Sequence, residues 1–179
     1  MFINSLLLIH EHVVKHLKKT LHIFILALII ISCSNSEKKT ETTIEKRTLF
    51  VFQTEQANPI MDYELTIQRS DSMSKYSYRN LSDEEKNMTF SYYKNAKYLV
   101  FSGEKFVLSR ASIFRNNQIF EGDFDRFQSK EPSIDGTEPI LFNYEYGILG
   151  IGNSFGPDFV YLPNTNLDLT KEVITELIK

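Results

Sequence analysis

Apolar and polar side chains alternate with a period of two through much of this chain, and this alternation constrains the fold more than any other feature. In residues 63–68, Tyr, Leu and Ile alternate with Glu, Thr and Gln. Successive side chains of an extended strand point to opposite faces, so the pattern predicts strands with one buried and one wet face. We expect Leu65 and Ile67 to face a core and Thr66 to face away from it.

Short turn signals separate the alternating stretches between residues 60 and 109. They lie at 70–72, 94–96 and 102–104 and are rich in Ser, Asp, Asn, Lys and Gly. Because connections this short join antiparallel neighbours, residues 60–109 are predicted to form a meander. Further strands are expected at 112–114, 118–120, 140–146, 148–151 and 159–162.

One amphipathic helix is predicted at the end of the sequence. Val173, Ile174, Leu177 and Ile178 share one helical face, and Asp168 or Thr170 is expected to be its N-cap.

A second, shorter helical turn is predicted between two strands. Ser82 is followed three residues later by Glu85, the spacing of a capping box. This pattern accounts for the acidic residues at 83–85 without assigning them a chemical role.

These patterns together predict a mainly β fold built from an antiparallel meander, with a C-terminal helix. The meander forms a strongly curved sheet or a small sandwich, and a closed, ligand-holding barrel is the alternative. Inward alternation is common to all of these, so the sequence leaves the choice open. About 130 folded residues suffice for one core, so a single domain is expected.

The first 32 residues have the organisation of a secretory signal peptide. Lys15, Lys18 and Lys19 precede an apolar run at 21–32. A run of about a dozen residues is too short to cross a hydrocarbon core of about 30 Å as a helix, but it has the length of a signal-peptide h-region. We therefore predict that residues 1–32 are removed; an uncleaved signal anchor is the less favoured alternative.

The segment Ile30-Ile31-Ser32-Cys33 resembles the lipobox of bacterial lipoproteins, and Cys33 is the only cysteine in the chain. The resemblance implies that Cys33 is the lipid-attachment site, receives diacylglycerol and becomes the new N-terminus. It also implies a membrane-anchored protein of the bacterial cell envelope. In Gram-negative lipoproteins an Asp after the cysteine resembles an inner-membrane retention signal, so Ser34 favours the outer membrane.

Residues 33–46 are predicted to be the lipidated cysteine and a flexible tether. The stretch after Cys33 is almost wholly polar and cannot bury enough apolar area to offset its ordering entropy. A flexible chain of this length has a root-mean-square reach on the order of 20 Å. Residues 47–179 are then expected to form the single β-rich domain.

Removal of the signal peptide depletes the inventory of catalytic side chains. All four histidines precede residue 33, and the chain has no tryptophan. Ser-His-Asp and Cys-His catalysis and His or Cys zinc sites are thereby excluded, and a lone cysteine excludes an internal disulfide. We predict no catalytic residue, no cofactor and no metal site.

The charge balance excludes a nucleic-acid partner. The signal peptide contains three basic residues and one acidic residue, so the processed chain has a net charge of about −5. Such a chain has no basic footprint for nucleic acid, and its attraction to a membrane is expected to come from the lipid on Cys33.

Carboxylates are the remaining means of catalysis. Paired acids can hydrolyse glycosides without histidine, and a close run of acids at 121–125 is compatible with a hard-cation site. A solvated strand face or loop is the favoured explanation of that run. The acids that a hydrolase could use are Glu121, Asp123, Asp125, Glu145 and Asp158.

A glycine-rich stretch at 147–156 has a G-x-G step but not the dinucleotide-binding fingerprint. Its third glycine is one residue too far, and Pro157 with a strand-like segment replaces the required helix. A hairpin or bulge in which Gly allows positive φ or close backbone approach is the simpler interpretation.

Two functions from different classes follow from these observations. The first is a non-enzymatic binding module for another envelope component or a small apolar ligand. The alternative is a carboxylate-dependent glycan hydrolase. Two facing acids in a cleft would favour the hydrolase, whereas an apolar cavity or a flat exposed patch would favour binding.

Overall fold

The alternating stretches form ten antiparallel strands. The computed structural model describes residues 40–53, 56–131 and 136–179, and of residues 56–60 and 138 it describes the backbone alone. Within these ranges the strands are β1 Glu41–Gln53, β2 Gln56–Arg69, β3 Met73–Asn80, β4 Met88–Tyr93, β5 Tyr98–Phe101, β6 Glu104–Arg115, β7 Asp123–Ser129, β8 Thr137–Asn143, β9 Gly147–Asn153 and β10 Asp158–Leu162.

The strands close into an up-and-down barrel. Each strand pairs with the next along the chain, and β1 pairs with β10, from Thr48 opposite Leu162 to Phe52 opposite Asp158. The prediction of a mainly β, antiparallel meander with a C-terminal helix is therefore confirmed. The sequence left a curved sheet, a small sandwich and a closed barrel open, and the structure is the closed barrel. Closure removes the free edges that an open sheet exposes.

The inner core consists of the side chains that point into the barrel. Leu65 and Ile67 are fully buried there, and Thr66 between them is only half-buried, as predicted. Large aromatic side chains dominate this core and contact one another edge to face; Tyr76 and Phe142, for example, have ring centroids 5.2 Å apart. Edge-to-face contacts of this kind stabilise a core beyond the area that the rings bury.

An outer core lies between the barrel wall and the helix α1, Leu167–Ile178. Leu169, Val173, Ile174 and Leu177 pack on outward-facing residues of β8, β9 and β10. Strand β9 is buried on both faces, because one face lines the barrel and the other contacts the helix. Because both faces of β9 are buried, its sequence is continuously apolar rather than alternating.

The helix ends differ from the sequence-based expectation. Asn166 is the N-cap, and its side chain accepts hydrogen bonds from the backbone N–H groups of residues 168 and 169; neither Asp168 nor Thr170 has this role. Of the four residues expected to share one helical face, Val173, Ile174 and Leu177 are buried, whereas Ile178 is 71% exposed. The stripe that contacts the barrel ends at Leu177, where the Arg126 guanidinium donates to the carbonyls of residues 176 and 177.

One predicted strand, 118–120, is a turn. Strand β6 includes the predicted stretch 112–114, and the chain then turns at 117–119 before β7 begins. The turn is stabilised by Asn116, whose side chain accepts from the backbone N–H of Gln118 and whose carbonyl accepts from residues 119 and 120. An Asn side chain that mimics a backbone turn competes with strand pairing in this way.

Strand β1 begins within the segment that was predicted to be the tether. Residues 41–46 pair with β2, from Glu41 opposite Arg69 to Lys46 opposite Glu64. The expected tether over 33–46 therefore overlaps the strand by six residues, and the folded domain begins before residue 47. Composition misled here because backbone pairing with a long neighbouring strand orders a polar segment that buries little. The predicted signal peptide, 1–32, and Cys33 lie outside the described residues.

Candidate ligand-binding cavity

An apolar cavity occupies one end of the barrel. We call it the barrel cavity and its end the open end, where β1 finishes, β2 begins and the connections 81–87 and 154–157 lie. Its volume is about 360 Å³. Seven of its described lining residues are aliphatic, Met or Phe: Leu49, Val51, Met61, Met88, Phe101, Ile151 and Phe159.

Strand alternation places these side chains on the cavity wall. Leu49 and Tyr161 are register partners on β1 and β10, as are Val51 and Phe159. Directly opposed residues of an antiparallel pair point to the same side of the sheet, so all four line the barrel interior. The cavity is thus a portion of the barrel interior that the inward-facing side chains leave unfilled.

The other end of the barrel is filled by aromatic side chains. Tyr76 donates a hydrogen bond to the carbonyl of Tyr144 at 2.6 Å, and the Tyr144 ring lies beneath two cations. Lys94 Nζ is 4.9 Å and the Arg69 guanidinium carbon 5.5 Å from the centroid of that ring. Cations over an aromatic face are attracted by its quadrupole. A separate, more polar surface pocket at this end is lined by Arg69, Lys94 and Tyr144 among others.

Two buried tyrosines form the inner wall of the barrel cavity. Tyr63 and Tyr161 are 2% and 1% exposed, and their ring centroids are 5.9 Å apart in an edge-to-face contact. Tyr78 packs against Tyr161 from below at 5.2 Å, and its hydroxyl accepts a hydrogen bond from the backbone N–H of Ile148 at 2.7 Å.

The hydroxyls of these two tyrosines have weak partners among the described residues. The Tyr161 hydroxyl donates to the thioether sulphur of Met88 at 3.6 Å. The Tyr63 hydroxyl donates to the carbonyl of Lys86 at 3.4 Å and contacts the sulphur of Met61 at 3.9 Å. Tyr63 and Tyr161 line the barrel cavity, and so do the residues that their hydroxyls contact, Met61, Lys86 and Met88. Thioether sulphur is a weak acceptor, and both oxygens remain able to donate to a better one.

Burial keeps Tyr161 in its protonated form. Desolvation raises the pKa of its hydroxyl well above the ordinary value, and the neighbouring Tyr63 and Tyr78 raise the pKa further. Tyr161 is therefore a hydrogen-bond donor at neutral pH.

A short 3₁₀ turn, Glu84–Lys86, forms part of the rim at the open end. The buried Asn80 holds the connection: its side-chain oxygen accepts from the backbone N–H groups of residues 82 and 83, and its amide donates to the Met61 sulphur. The turn was predicted with Ser82 as its cap, but Asp83 caps it by accepting from Glu85 N–H at 3.1 Å. The Asn80 side chain accepts from the backbone at residues 82 and 83, and the turn is capped one residue later than predicted, at Asp83 instead of Ser82.

Polar side chains are confined to the rim of the barrel cavity. Glu85, Lys86, Asn87, Thr137 and Asn153 are the polar lining residues that the structure describes. Glu85 is the only acid among them, and Lys86 is paired with Asp83 at 3.2 Å on an exposed surface.

The acids weighed for a hydrolase lie outside the described lining of the cavity. Asp125 accepts from the backbone N–H of Ser112 at 2.8 Å, and Asp123 lies 3.9 Å from Arg115. Glu121 and Glu145 are exposed. Among the described residues, no group of three or more His, Cys, Asp and Glu side chains could hold a metal ion.

Asp158 occupies the first position of β10 and supports a turn. Its carboxylate accepts from the backbone N–H of Asn153 at 3.0 Å, across the 154–157 connection. Partial burial raises the pKa of this carboxyl, and the hydrogen bond from Asn153 opposes that rise.

The glycine-rich stretch has the structural role that the simpler interpretation gave it. Gly147 has φ of +93° at the start of β9, where only glycine is unstrained. Gly150 faces the helix, and a Cβ there would lie 3.0 Å from a methyl carbon of Leu177.

No protein-family model, curated protein or solved structure matches this chain. Within the described ranges, the structure contains no helix of sufficient length and apolarity to cross a membrane.

Proposed function

We propose that this protein is a non-enzymatic, lipid-anchored binding protein of the bacterial cell envelope, and that its barrel cavity holds a small, mainly apolar ligand. The barrel cavity is the observation that carries the binding part of the proposal. The resemblance of the segment ending at Cys33 to a lipobox supports the lipid anchor and the location in the cell envelope.

The size of the barrel cavity suits a small molecule. Its volume of about 360 Å³ lies at the lower end of the range of about 300 to 1,000 Å³ for ligand pockets. A cavity of about 150 Å³ accommodates benzene, so one of this size accommodates on the order of 14 non-hydrogen atoms. A chain of about ten carbons with one polar group meets this limit.

The composition of the wall favours an apolar ligand. Burial of apolar surface contributes about 25 cal/mol per Å², and the inner wall presents aliphatic, thioether and aromatic groups to a ligand. Met61 and Met88 are unbranched and polarizable, so they adapt to ligands of different shape. A sugar, by contrast, would leave most of its hydroxyls without partners on such a wall.

The hydrolase has less support than the binding module. Glycoside hydrolysis needs two acids held about 5 to 10 Å apart across a substrate cleft. The described wall of the barrel cavity includes one acid, Glu85, which is exposed at the rim.

A matched pair of variants tests the proposal. Val51→Phe adds volume inside the barrel cavity, whereas Val100→Phe adds the same volume outside it: Leu99, its neighbour on β5, belongs to the inner core. The full chain is melted in buffer alone and in buffer saturated with n-decanol or n-decane.

Because a ligand that binds only the folded state raises the melting temperature, we expect both liquids to stabilise the wild type and Val100→Phe. Val51→Phe should lose the shift. Equal shifts in all three proteins, or none in the wild type, would contradict ligand binding in the barrel cavity.

A further inference from the structure

We infer that the ligand of the barrel cavity carries a neutral hydrogen-bond acceptor, such as a hydroxyl, carbonyl or ether oxygen, which lies at the inner wall against Tyr63 and Tyr161. This inference rests on the proposed function and specifies the chemistry of its ligand. It follows from the positions and partners of the two phenolic hydroxyls.

Two buried donors at the surface of an apolar cavity call for a better acceptor than the structure supplies. The shortest described contacts are 3.6 Å from Tyr161 to a thioether and 3.4 Å from Tyr63 to a carbonyl. The 3.4 Å contact of Tyr63 is longer than an ordinary O–H···O bond of 2.5 to 3.0 Å, and the thioether that Tyr161 reaches is a weak acceptor, so neither hydroxyl makes a full-strength hydrogen bond here. Buried polar groups in folded proteins are usually fully bonded, and a ligand oxygen beside the two hydroxyls would accept from both.

The acceptor is neutral, because the inner wall offers no free cation among the described residues. Arg47 is 3% exposed and is not among the described lining residues; it pairs with Glu45 and lies 4.1 Å from the centroid of the Tyr146 ring, and only its Nε is without a hydrogen-bond partner. Lys86 is at the rim and pairs with Asp83. A carboxylate moved to the inner wall would lose its hydration without gaining an opposite charge, which is costly.

Three ligands of equal chain length separate the contributions of the acceptor oxygen, the apolar chain and a negative charge: n-decanol, n-decane and sodium decanoate. Melting temperatures are measured in buffer saturated with the alcohol or the alkane, and with decanoate at the free concentration of the saturated alcohol. The variants are Tyr161→Phe and Tyr63→Phe, and Tyr98→Phe is the control. Tyr98 stacks on Tyr93, away from the described lining of the barrel cavity.

We expect Tyr161→Phe to weaken the binding of n-decanol about tenfold and to leave that of n-decane unchanged. Tyr63→Phe should have the same selective effect, so the inference stays testable if one variant fails to fold. Tyr98→Phe should behave as the wild type, and decanoate should bind the wild type more weakly than n-decanol.

Equal losses for alcohol and alkane, no loss for either, or decanoate binding as tight as that of the alcohol would overturn the inference. A wild type stabilised by n-decane but not preferentially by n-decanol would overturn the inference and leave the proposed function standing. A wild type stabilised by none of the three would overturn both.

Discussion

Buried tyrosine hydroxyls give the interior of this barrel its most distinctive residue-scale property. Burial is the largest cause that raises the pKa of each of Tyr76, Tyr78, Tyr146 and Tyr161 above the ordinary tyrosine value near 10. Three of these hydroxyls donate to backbone carbonyls, whereas Tyr161 donates to a thioether. These four tyrosines are therefore neutral in the folded protein.

The stability of the fold is expected to fall steeply above about pH 10. Below that pH these tyrosines are protonated in both states, so they cause no pH dependence. Above it the unfolded chain releases protons that the folded barrel retains, and each fully buried tyrosine lowers the free energy of unfolding by up to about 1.4 kcal/mol per pH unit.

Urea titrations between about pH 8 and pH 11, combined with tyrosinate absorbance, check this expectation. The four tyrosines should ionise together with unfolding, and Tyr78→Phe should reduce the slope. Ionisation of all the tyrosines near pH 10 in a protein that stays folded would contradict the buried interior.

At the scale of elements, α1 packs closely on β9. A Cβ on Gly150 would lie 3.0 Å from a methyl carbon of Leu177 and 3.1 Å from one of Val173. The register between β8 and β9 shifts beside this glycine, from Leu141 opposite Gly150 to Phe142 opposite Ile148. The absent side chain lets the helix cover the bulged strand closely.

Gly150→Ala is expected to destabilise the fold by about 1 to 3 kcal/mol, because the added methyl group overpacks this contact. Gly156→Ala is the control: its Cβ would meet nothing nearer than 3.5 Å, so its effect should lie within about 0.5 kcal/mol. Leu177→Ala in the same chain should reduce the cost of Gly150→Ala, which a double-mutant cycle in urea measures. Equal effects of the two glycine changes would contradict the close contact.

The sequence predicted the elements whose signals are local and missed those that depend on distant residues. Alternation placed Leu65, Ile67 and Thr66 correctly, because strand geometry alone decides which face each residue occupies. The true cap, Asn166, and the turn at Asn116 were missed although their hydrogen bonds are local, because the sequence pattern does not show which of several neighbouring polar side chains accepts from the backbone.

Closure and the barrel cavity could not be predicted from local pattern. Closure joins β1 to β10, from Thr48 opposite Leu162, and no local signal reports a pairing so distant in sequence. Alternation places Tyr63 on the same face as Leu65, and Tyr161 lies in the expected strand 159–162, but the volume that the inward side chains leave unfilled depends on all the strands together.

At the scale of the whole molecule, the proposed anchor and the barrel cavity make separate contributions. Lipid on Cys33 would hold the protein at a membrane, and the barrel would bind the ligand whether or not the lipid is attached. Neither contribution needs a catalytic residue or a cofactor.

The anchor is tested by Cys33→Ser with Ser34→Ala as the control. The wild type and Ser34→Ala should incorporate a labelled fatty-acid analogue, because the cysteine sulphur is the acceptor of diacylglycerol. Cys33→Ser should incorporate none and keep its signal peptide. Equal labelling of the wild type and Cys33→Ser would sink the assignment of Cys33 as the lipid-attachment site.

The most direct test of ligand binding is the anomalous scattering of bromine in crystals grown with ω-bromodecanol. If the barrel cavity holds the ligand, the bromine peak lies inside the barrel, among the apolar lining residues that include Val51 and Phe159. The oxygen density should then lie within hydrogen-bond distance of the hydroxyl of Tyr63 or Tyr161. A bromine peak only on the outer surface, or an unoccupied barrel cavity in crystals that contain the compound, would contradict the account.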